Sequence, residues 1–184
     1  MPSNILNSLV EYTTIPVDTQ ERVVALSSDE IFDCPFCYIS GHKLVEFDDK
    51  ERSNFEKYVR NGGFVFADDC NQDIDGLFAK PFEQQMTNIF GADALKKIPN
   101  DYELYSSFFE FKDRPPTTSY ELNGWGDDLV HDHLKAIKIN GRISVLYSNK
   151  DYGCERDYEF KNKSWLAKDN TQFAINIIVY AMTA

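Results

Sequence analysis

The stretch YVRNGGFVFADDC, residues 58–70, decides the fold. Its first residues complete the apolar face of a helix, and Asn61-Gly62-Gly63 is typical of a helix that ends on glycine. Phe64–Ala67 follows at once as a continuous apolar run, which predicts a strand buried on both faces. The paired carboxylates of Asp68 and Asp69 end that run. The stretch therefore predicts a helix, a tight stop and a buried strand with an acidic carboxyl end.

The segment before this stretch supplies the other half of a strand–helix–strand unit. Cys34–Ser40 is an apolar run and predicts a strand that ends at Gly41-His42. Asp48 and Glu51 have the spacing of a capping box, which predicts the start of the helix that ends at Asn61. A strand, a helix and a second strand at these spacings form a βαβ unit with parallel strands and a right-handed crossover.

The remaining helices and one further strand are predicted from apolar spacing. Apolar residues at helical spacing predict helices over Asn4–Tyr12 and Leu77–Phe90, and a short apolar run predicts a buried strand at Val23–Leu26. Asn170 has the chemistry of a helix cap, and it predicts the start of a closing helix. The buried stripe of that helix is predicted to be Phe173, Ala174, Ile177, Ile178 and Ala181.

A hairpin in the carboxyl-terminal half completes the predicted sheet. Residues 136–139 and 142–148 form alternating strands on either side of Asn140-Gly141, the residue pair preferred in type I′ turns. The sequence thus predicts one α/β domain. Its sheet is mainly parallel with an antiparallel hairpin at one edge, and helices cover both faces.

Composition and charge exclude several classes of protein. The 184 residues are 42% hydrophobic and 27% charged, which is the balance of a globular rather than a disordered chain. The formal net charge is -11. Nucleic-acid and anionic-membrane binding draw on clustered lysine and arginine, so we expect neither. No apolar run approaches the roughly 20 residues of a transmembrane helix, so we expect no membrane insertion.

Two of the four cysteines have the spacing of a redox or zinc half-site. Cys34-Pro35-Phe36-Cys37 opens a predicted strand, whereas a redox C-x-x-C motif uses a helix N-terminus to lower the pKa of its thiol. Residues three apart on a strand point to opposite faces. We therefore expect Cys34 and Cys37 to be ordinary packing residues.

The assembled segments resemble a known family. The residues that carry the resemblance are FCYISGH at 36–42, YVRNGGFVFADDC at 58–70, GRISVLYS at 141–148 and NIIVYA at 176–181. They are similar to a bacterial domain-of-unknown-function family, four-one-five-nine, which is grouped with the class I glutamine amidotransferase-like superfamily. The resemblance extends from about Pro2 to the carboxyl terminus. It implies a flavodoxin-like three-layer α/β/α fold and leaves any reaction open.

The resemblance also shows two departures. Family members usually carry an export leader and a first strand before the segment that matches Pro2–Val10, and neither is found here. The resemblance therefore implies a single domain over residues 1–184 that lacks the family's first strand and export leader. If the sequence is trimmed, the resemblance implies a periplasmic or exported natural protein. The second departure is Tyr102, where many members have histidine.

The carboxyl edge of the sheet is the expected place for a site, because ligands of open parallel sheets bind beyond the carboxyl ends of the strands. Three segments leave predicted strands at this edge: Gly41-His42, Asp68-Asp69-Cys70-Asn71 and Ser148–Cys154. We expect these segments to bring together a set of candidate ligand-binding side chains. The set is His42, Asp68, Asp69, Cys70, Asn71, Asp151, Tyr152 and Cys154.

Three chemistries remain open for this set. Cys70 follows a strand where the superfamily's nucleophile lies, and His42 could activate it, but Asp69 and Asn71 stand where that nucleophile has glycines. His42, Cys70 and Cys154 could instead hold a metal. Alternatively, the two cysteines could form a disulfide if their Cα atoms lie within about 7 Å.

Recognition without chemistry is the interpretation that we favour. Paired aspartates bind sugar hydroxyls, cations or the lysine and arginine residues of a partner, and Trp125 and Tyr152 are expected to be exposed aromatic contacts. In the simplest alternative, Asp68 and Asp69 only cap the following turn. The leading prediction is a non-catalytic module that binds a small molecule or a protein partner. The alternative is a hydrolase or amidotransferase-like enzyme that uses Cys70. No cofactor is identified.

A second group of possible metal ligands is His131-Asp132-His133. Two histidines at this spacing point the same way on a strand. We expect this segment to be a solvated loop before the hairpin rather than a metal site.

Overall fold

The computed structural model describes residues 2–41, 44–69, 76–118, 121, 130–153 and 165–184. Within these residues the chain forms one five-stranded sheet and four α-helices. In chain order the elements are α1 (Pro2–Tyr12), β1 (Phe36–Gly41), α2 (Asp49–Arg60), β2 (Phe64–Asp69), α3 (Ala79–Phe90), β3 (Lys96–Lys97), β4 (Lys135–Ile139), β5 (Arg142–Ser148) and α4 (Trp165–Thr183). Two short 3₁₀ helices span Asp29–Asp33 and Glu103–Ser106.

The strand order is β1-β2-β5-β4-β3, which confirms an α/β fold with a parallel centre. β1 pairs in parallel with β2, and β2 pairs in parallel with β5. β4 is antiparallel to both β5 and β3. The predicted hairpin is confirmed, but its expected place at the edge is wrong. β5 is the central strand, and the two residues of β3 cover part of the outer side of β4.

Local signals explain the sharp boundaries of α2. Glu51 donates its backbone N–H to Asp48 Oδ1 over 2.8 Å, and Asp48 donates its own to Glu51 Oε2 over 2.9 Å, which confirms the capping box. At the other end, Gly62 has a φ of +99°. A Cβ on Gly63 would lie 2.4 Å from the ring of Tyr58, so only glycine fits there. β2 can therefore begin directly after the helix.

The core lies on both faces of the sheet. Phe64 and Phe66 point to one face, where they join an apolar cluster that includes Phe173 of α4. Val65 and Ala67 point to the other face and pack in a cluster with residues of α2 and α3. α1 packs against the outer side of α4. Helices therefore pack on both faces, because the side chains of a strand alternate.

The closing helix differs from its prediction. The predicted buried stripe is confirmed, but α4 begins at Trp165, and Asn170 is a buried residue inside the helix rather than its cap. Ile175 and Val179 are buried as well, against α1. The apolar stripe is wider than one face because α4 is covered by the sheet on one side and by α1 on the other. Among the described residues, no helix combines the length and apolar character needed to cross a membrane.

Two strand predictions were wrong in opposite directions. Val23–Leu26 forms no strand, and the side chain of Val23 is 99% exposed. Val24 and Leu26 pack against the core, so the segment lies over the sheet without pairing to a strand in the described residues. β3 was missed because its two residues, Lys96 and Lys97, carry no apolar signal.

Candidate functional site

The carboxyl ends of three strands meet at one edge of the sheet. Gly41 of β1 lies opposite Asp69 of β2, and Asp68 lies opposite Ser148 of β5. The predicted common edge therefore exists, and the segments that follow these strands start side by side.

Asp68, on β2, connects β1 with the segment that follows β5. Its side chain is fully buried, and Oδ2 accepts hydrogen bonds from Tyr38 Oη over 3.3 Å and from the backbone N–H of Gly153 over 2.6 Å. Tyr38 belongs to β1, and Gly153 belongs to the segment after β5. The carboxylate therefore binds a distant segment, rather than only capping the turn that follows it. A charge-assisted bond of this kind is about twice as strong as a neutral one.

Asp69 faces the opposite side of the sheet, near the hydroxyl of Tyr147. Asp69 is 2% exposed, and Tyr147 packs against Phe82 with ring centroids 5.4 Å apart. Burial raises the pKa of Tyr147, and the negative charge of Asp69 raises it further, so this phenol stays protonated. Neither the Tyr147 hydroxyl nor the Ser40 hydroxyl, both buried, has a hydrogen-bond partner within the described part of the chain.

Asp151 and Tyr152 are both inside the protein. Asp151 is 4% exposed and has a φ of +58°, a left-handed conformation that aspartate adopts more readily than most residues. Tyr152 is fully buried, its hydroxyl donates to the carbonyl of Pro116 over 2.6 Å, and its ring centroid lies 5.2 Å from that of Phe173. The expectation of an exposed aromatic at Tyr152 is wrong, because α4 and the chain around Pro116 cover the ring.

A buried ion pair at this edge was not predicted. Lys150 is only 2% exposed, and its ammonium group donates to Glu121 Oε1 and, over 3.3 Å, to the carbonyl of His131. The second carboxylate oxygen of Glu121 accepts from the backbone N–H and the hydroxyl of Thr118, over 2.7 and 3.0 Å. Lys150 lies two residues after the end of the strongly apolar strand β5. This position in the sequence is the one feature that could have indicated its burial.

The two histidines before β4 form a stacked pair. The rings of His131 and His133 have centroids 4.9 Å apart and are nearly parallel, and His133 Nδ1 lies 2.6 Å from Asp132 Oδ1. Burial lowers the pKa of His131, and the neighbouring charge of Lys135 lowers it further. Over the described ranges, no group of three or more His, Cys, Asp or Glu residues is placed to hold a metal ion.

Comparison with known protein families assigns the chain. Residues 1–182 match a family described as a domain of unknown function, DUF4159. The chain belongs to this family. A search of curated proteins found no match. Family membership confirms the family to which the sequence motifs are similar, and it assigns no reaction.

Four of the candidate residues of this DUF4159 chain lie outside the described residues: His42, Cys70, Asn71 and Cys154. Trp125 also lies outside them. The use of Cys70 as a nucleophile, the metal set and the Cys70–Cys154 disulfide therefore stay predictions. Of the predicted set, Asp68 and Asp69 are the last two residues of β2 rather than residues after it, and Asp151 and Tyr152 follow β5.

The C-x-x-C cysteines are free thiols, and both are partly buried. Burial raises the pKa of the Cys37 thiol, the opposite of the shift in a redox motif. Cys34 raises that pKa slightly further, so the two thiols are neighbours and not on opposite faces. The reason is that Cys34 lies before β1, at the end of a 3₁₀ helix, where strand alternation does not apply.

The departure at Tyr102 has a packing role. Its hydroxyl lies 3.2 Å from that of Tyr180 in α4, and Lys138 Nζ lies 4.1 Å from the centre of its ring. An aromatic ring at this position therefore supports both the closing helix and a cation on β4.

Proposed function

We propose that the chain is a non-catalytic binding module whose ligand or partner binds at the carboxyl edge of the sheet. The observation that carries the proposal is the concentration of buried ionisable side chains at the ends of β2 and β5: Asp68, Asp69, Lys150 and Asp151. Burial costs several kcal/mol for each ion, and clusters of such groups mark functional sites.

The same groups indicate the chemistry of the ligand. Lys150 is bound to Glu121, and among the buried charges that the structure describes at this edge the carboxylates outnumber the ammonium group. The net charge of the whole protein is also negative, -11, so the protein as a whole attracts cations. The hydroxyls of Ser40 and Tyr147 can each donate or accept a hydrogen bond. We therefore expect a ligand that carries ammonium groups, a divalent cation or several hydroxyl groups.

The fold class that we propose is the flavodoxin-like three-layer arrangement of class I glutamine amidotransferase-like proteins. Two features support it: the parallel order β1-β2-β5 and the helices on both faces of the sheet. In that fold class the carboxyl edge of the parallel strands is the usual ligand position.

A thermal-shift experiment with three probes tests the proposal: spermidine, calcium chloride and trehalose. We expect one class of probe to raise the melting temperature by binding the native state. Asp69→Asn and Tyr147→Phe should weaken that effect. The second variant removes one hydroxyl and keeps the ring against Phe82. Asp101→Asn, at an exposed turn, is the matched control and should respond like the wild-type protein.

The results separate the proposal from the enzyme alternative. A shift that is unchanged in both variants, or no shift with any probe, would contradict a binding site at this edge. Rapid alkylation of Cys70 by iodoacetamide at pH 7 would instead favour the Cys70-dependent hydrolase, because only an activated thiol is largely ionised at that pH.

A further inference from the structure

A groove of about 530 Å³ lies along the outer side of β4, at the other end of the sheet. It is bounded by Arg60, Phe90, the turn residues 92–94, residues 96–98 and the β4 residues 136–139. Arg60 is the last residue of α2, and β4 runs opposite to β5. The groove is therefore near the amino ends of β2 and β5, away from the aspartates described above.

The groove is cationic in a strongly acidic protein. The chain has 30 acidic and 19 basic residues, yet the lining contains four basic side chains and one carboxylate, that of Asp93. The basic side chains are Arg60, Lys96, Lys97 and Lys138. These clustered basic side chains give the groove a positive local field, although the protein as a whole is negative. The field attracts anionic groups.

Two of the four cations have no ion-pair partner in the part of the chain that the structure describes. Arg60 is bound to Glu56 over 2.8 Å, and Lys97 lies 3.3 Å from Asp132. Lys96 and Lys138 make no such pair with a described carboxylate, and both side chains are exposed. Lys138 Nζ does lie over the Tyr102 ring, 4.1 Å from its centre, but that contact leaves the positive charge unneutralised. Both charges can therefore attract an anionic partner.

The groove also contains a strand edge. β3 pairs with β4 only through Lys96 opposite Ala136 and Lys97 opposite Lys135. Residues 137–139 of β4 extend beyond this pairing, and the described chain that lines the groove beside them, residues 92–94, does not form a strand. A strand edge presents backbone N–H and C=O groups on which a peptide can add as a further strand.

The two faces of an added strand would meet different chemistry. Lys96 lies opposite Ala136, which packs in the same cluster as Tyr102. Lys138 lies over the ring of Tyr102, so both lysines are on the same face. Ile137 and Ile139 belong to the other face, where the Arg60 guanidinium lies 5.6 Å from the ring centre of Phe90. The first face selects acidic side chains and the second selects apolar ones.

We propose that this groove binds an extended acidic peptide, in which acidic and apolar residues alternate, as an added strand on residues 137–139 of β4. The strand edge provides main-chain hydrogen bonds, and the lysines provide the preference for acidic residues. The proposal does not depend on the function proposed for the carboxyl edge, because the two surfaces share no residue.

Fluorescence anisotropy with a fluorescein-labelled peptide, Glu-Val-Glu-Val-Glu-Val, tests the proposal. We expect saturable binding that weakens as salt is added, and a loss of about tenfold or more in the double variant Lys96→Glu/Lys138→Glu. Lys50→Glu is the matched control, since it lies ten residues before Arg60 on α2, about 15 Å away at 1.5 Å per residue, and should bind like wild type. Lys96→Gln/Lys138→Gln repeats the test without charge reversal.

Three further measurements can overturn the proposal. Equal binding of a peptide methylated at alternate amide nitrogens would exclude main-chain pairing. In a second outcome, inorganic phosphate or glutarate displaces the labelled peptide with an affinity equal to that of the peptide itself. That result would show that the groove binds small anions and not a peptide strand. Light scattering that shows a dimer of the wild-type protein, and a monomer of the double variant, would assign the edge to a second copy of this chain. No saturable binding to wild type would also contradict the proposal.

Discussion

The carboxylate of Asp68 accepts a hydrogen bond from the backbone N–H of Gly153, 85 residues further along the chain, over 2.6 Å. The same oxygen accepts from Tyr38 Oη. One buried side chain thus fixes the relative positions of β1, β2 and the segment after β5. The relative positions of the described segments at the carboxyl edge therefore depend on a charge inside the protein.

Replacing this carboxylate should destabilise the protein. Asp68→Ala leaves the N–H of Gly153 buried and unpaired, and we expect the free energy of unfolding to fall by about 2 kcal/mol. Urea denaturation measures the change. Asp101→Ala, at an exposed position, is the control and should alter it by less than about 0.5 kcal/mol. Equal midpoints for the two variants would show that the hydrogen bond to Asp68 has no structural role.

The buried pair of Lys150 and Glu121 should be sensitive to the loss of one partner. Lys150→Met removes the cation and leaves the carboxylate uncompensated, so we expect a loss of about 3 kcal/mol. This value is the low end of the range for broken buried pairs, because the side chain of Glu121 keeps 22% exposure. The double variant Lys150→Met/Glu121→Gln should recover part of the loss in a urea-denaturation cycle. A single variant as stable as wild type would contradict the prediction.

The turn between β4 and β5 should not tolerate a side chain at Gly141. Asn140 and Gly141 have φ values of +53° and +87°, as a type I′ turn requires. A Cβ on Gly141 meets no atom within 4 Å, so any cost of Gly141→Val arises from the backbone. We expect about 1–2 kcal/mol in chemical denaturation. Asn140→Gly, which keeps the turn permissive, should be nearly neutral. Unchanged stability of Gly141→Val would mean that the turn rearranges freely.

His131 should make the protein less stable in mild acid. Its pKa is lowered in the folded state by burial and by Lys135, while Glu83 and Asp132 oppose the shift. The unfolded chain therefore binds a proton first, and stability falls as the pH decreases below about 6.5. His131→Gln should reduce the slope of unfolding free energy against pH between pH 7.5 and the folded pKa. Identical slopes for the variant and wild type would contradict the assignment.

The local features of the fold were predictable because each depends on neighbours in the sequence. Asp48 and Glu51 satisfy each other's backbone groups, and Asn140-Gly141 requires only its own dihedral angles. The strand at Phe64–Ala67 was predicted from apolar residues that must avoid water on both faces, and the structure extends it through Asp69. Val23–Leu26 has a similar composition and failed, since a strand also needs a partner strand that composition does not supply.

The candidate site was predictable in position but not in the roles of its residues. The common edge of β1, β2 and β5 follows from parallel pairing, and Asp68 was identified there. The sequence predicted Tyr152 at the surface, and, apart from the nearby apolar strand, it carries no pattern that predicts the burial of Lys150. Their burial depends on Phe173 and Glu121, which are distant in sequence and cover them only after the chain has folded.

Sequence alone therefore determined the βαβ unit, the helix boundaries at Asp48 and Gly62, the type I′ turn and the family, since these depend on short-range patterns. Tertiary structure decided which charges are buried, that Asp68 binds Gly153, and that β3 pairs with β4 through only Lys96 and Lys97 in the described residues. The physical reason is that burial and pairing are properties of contacts between distant segments. Water is excluded from Lys150 or Tyr152 only when another part of the chain takes its place.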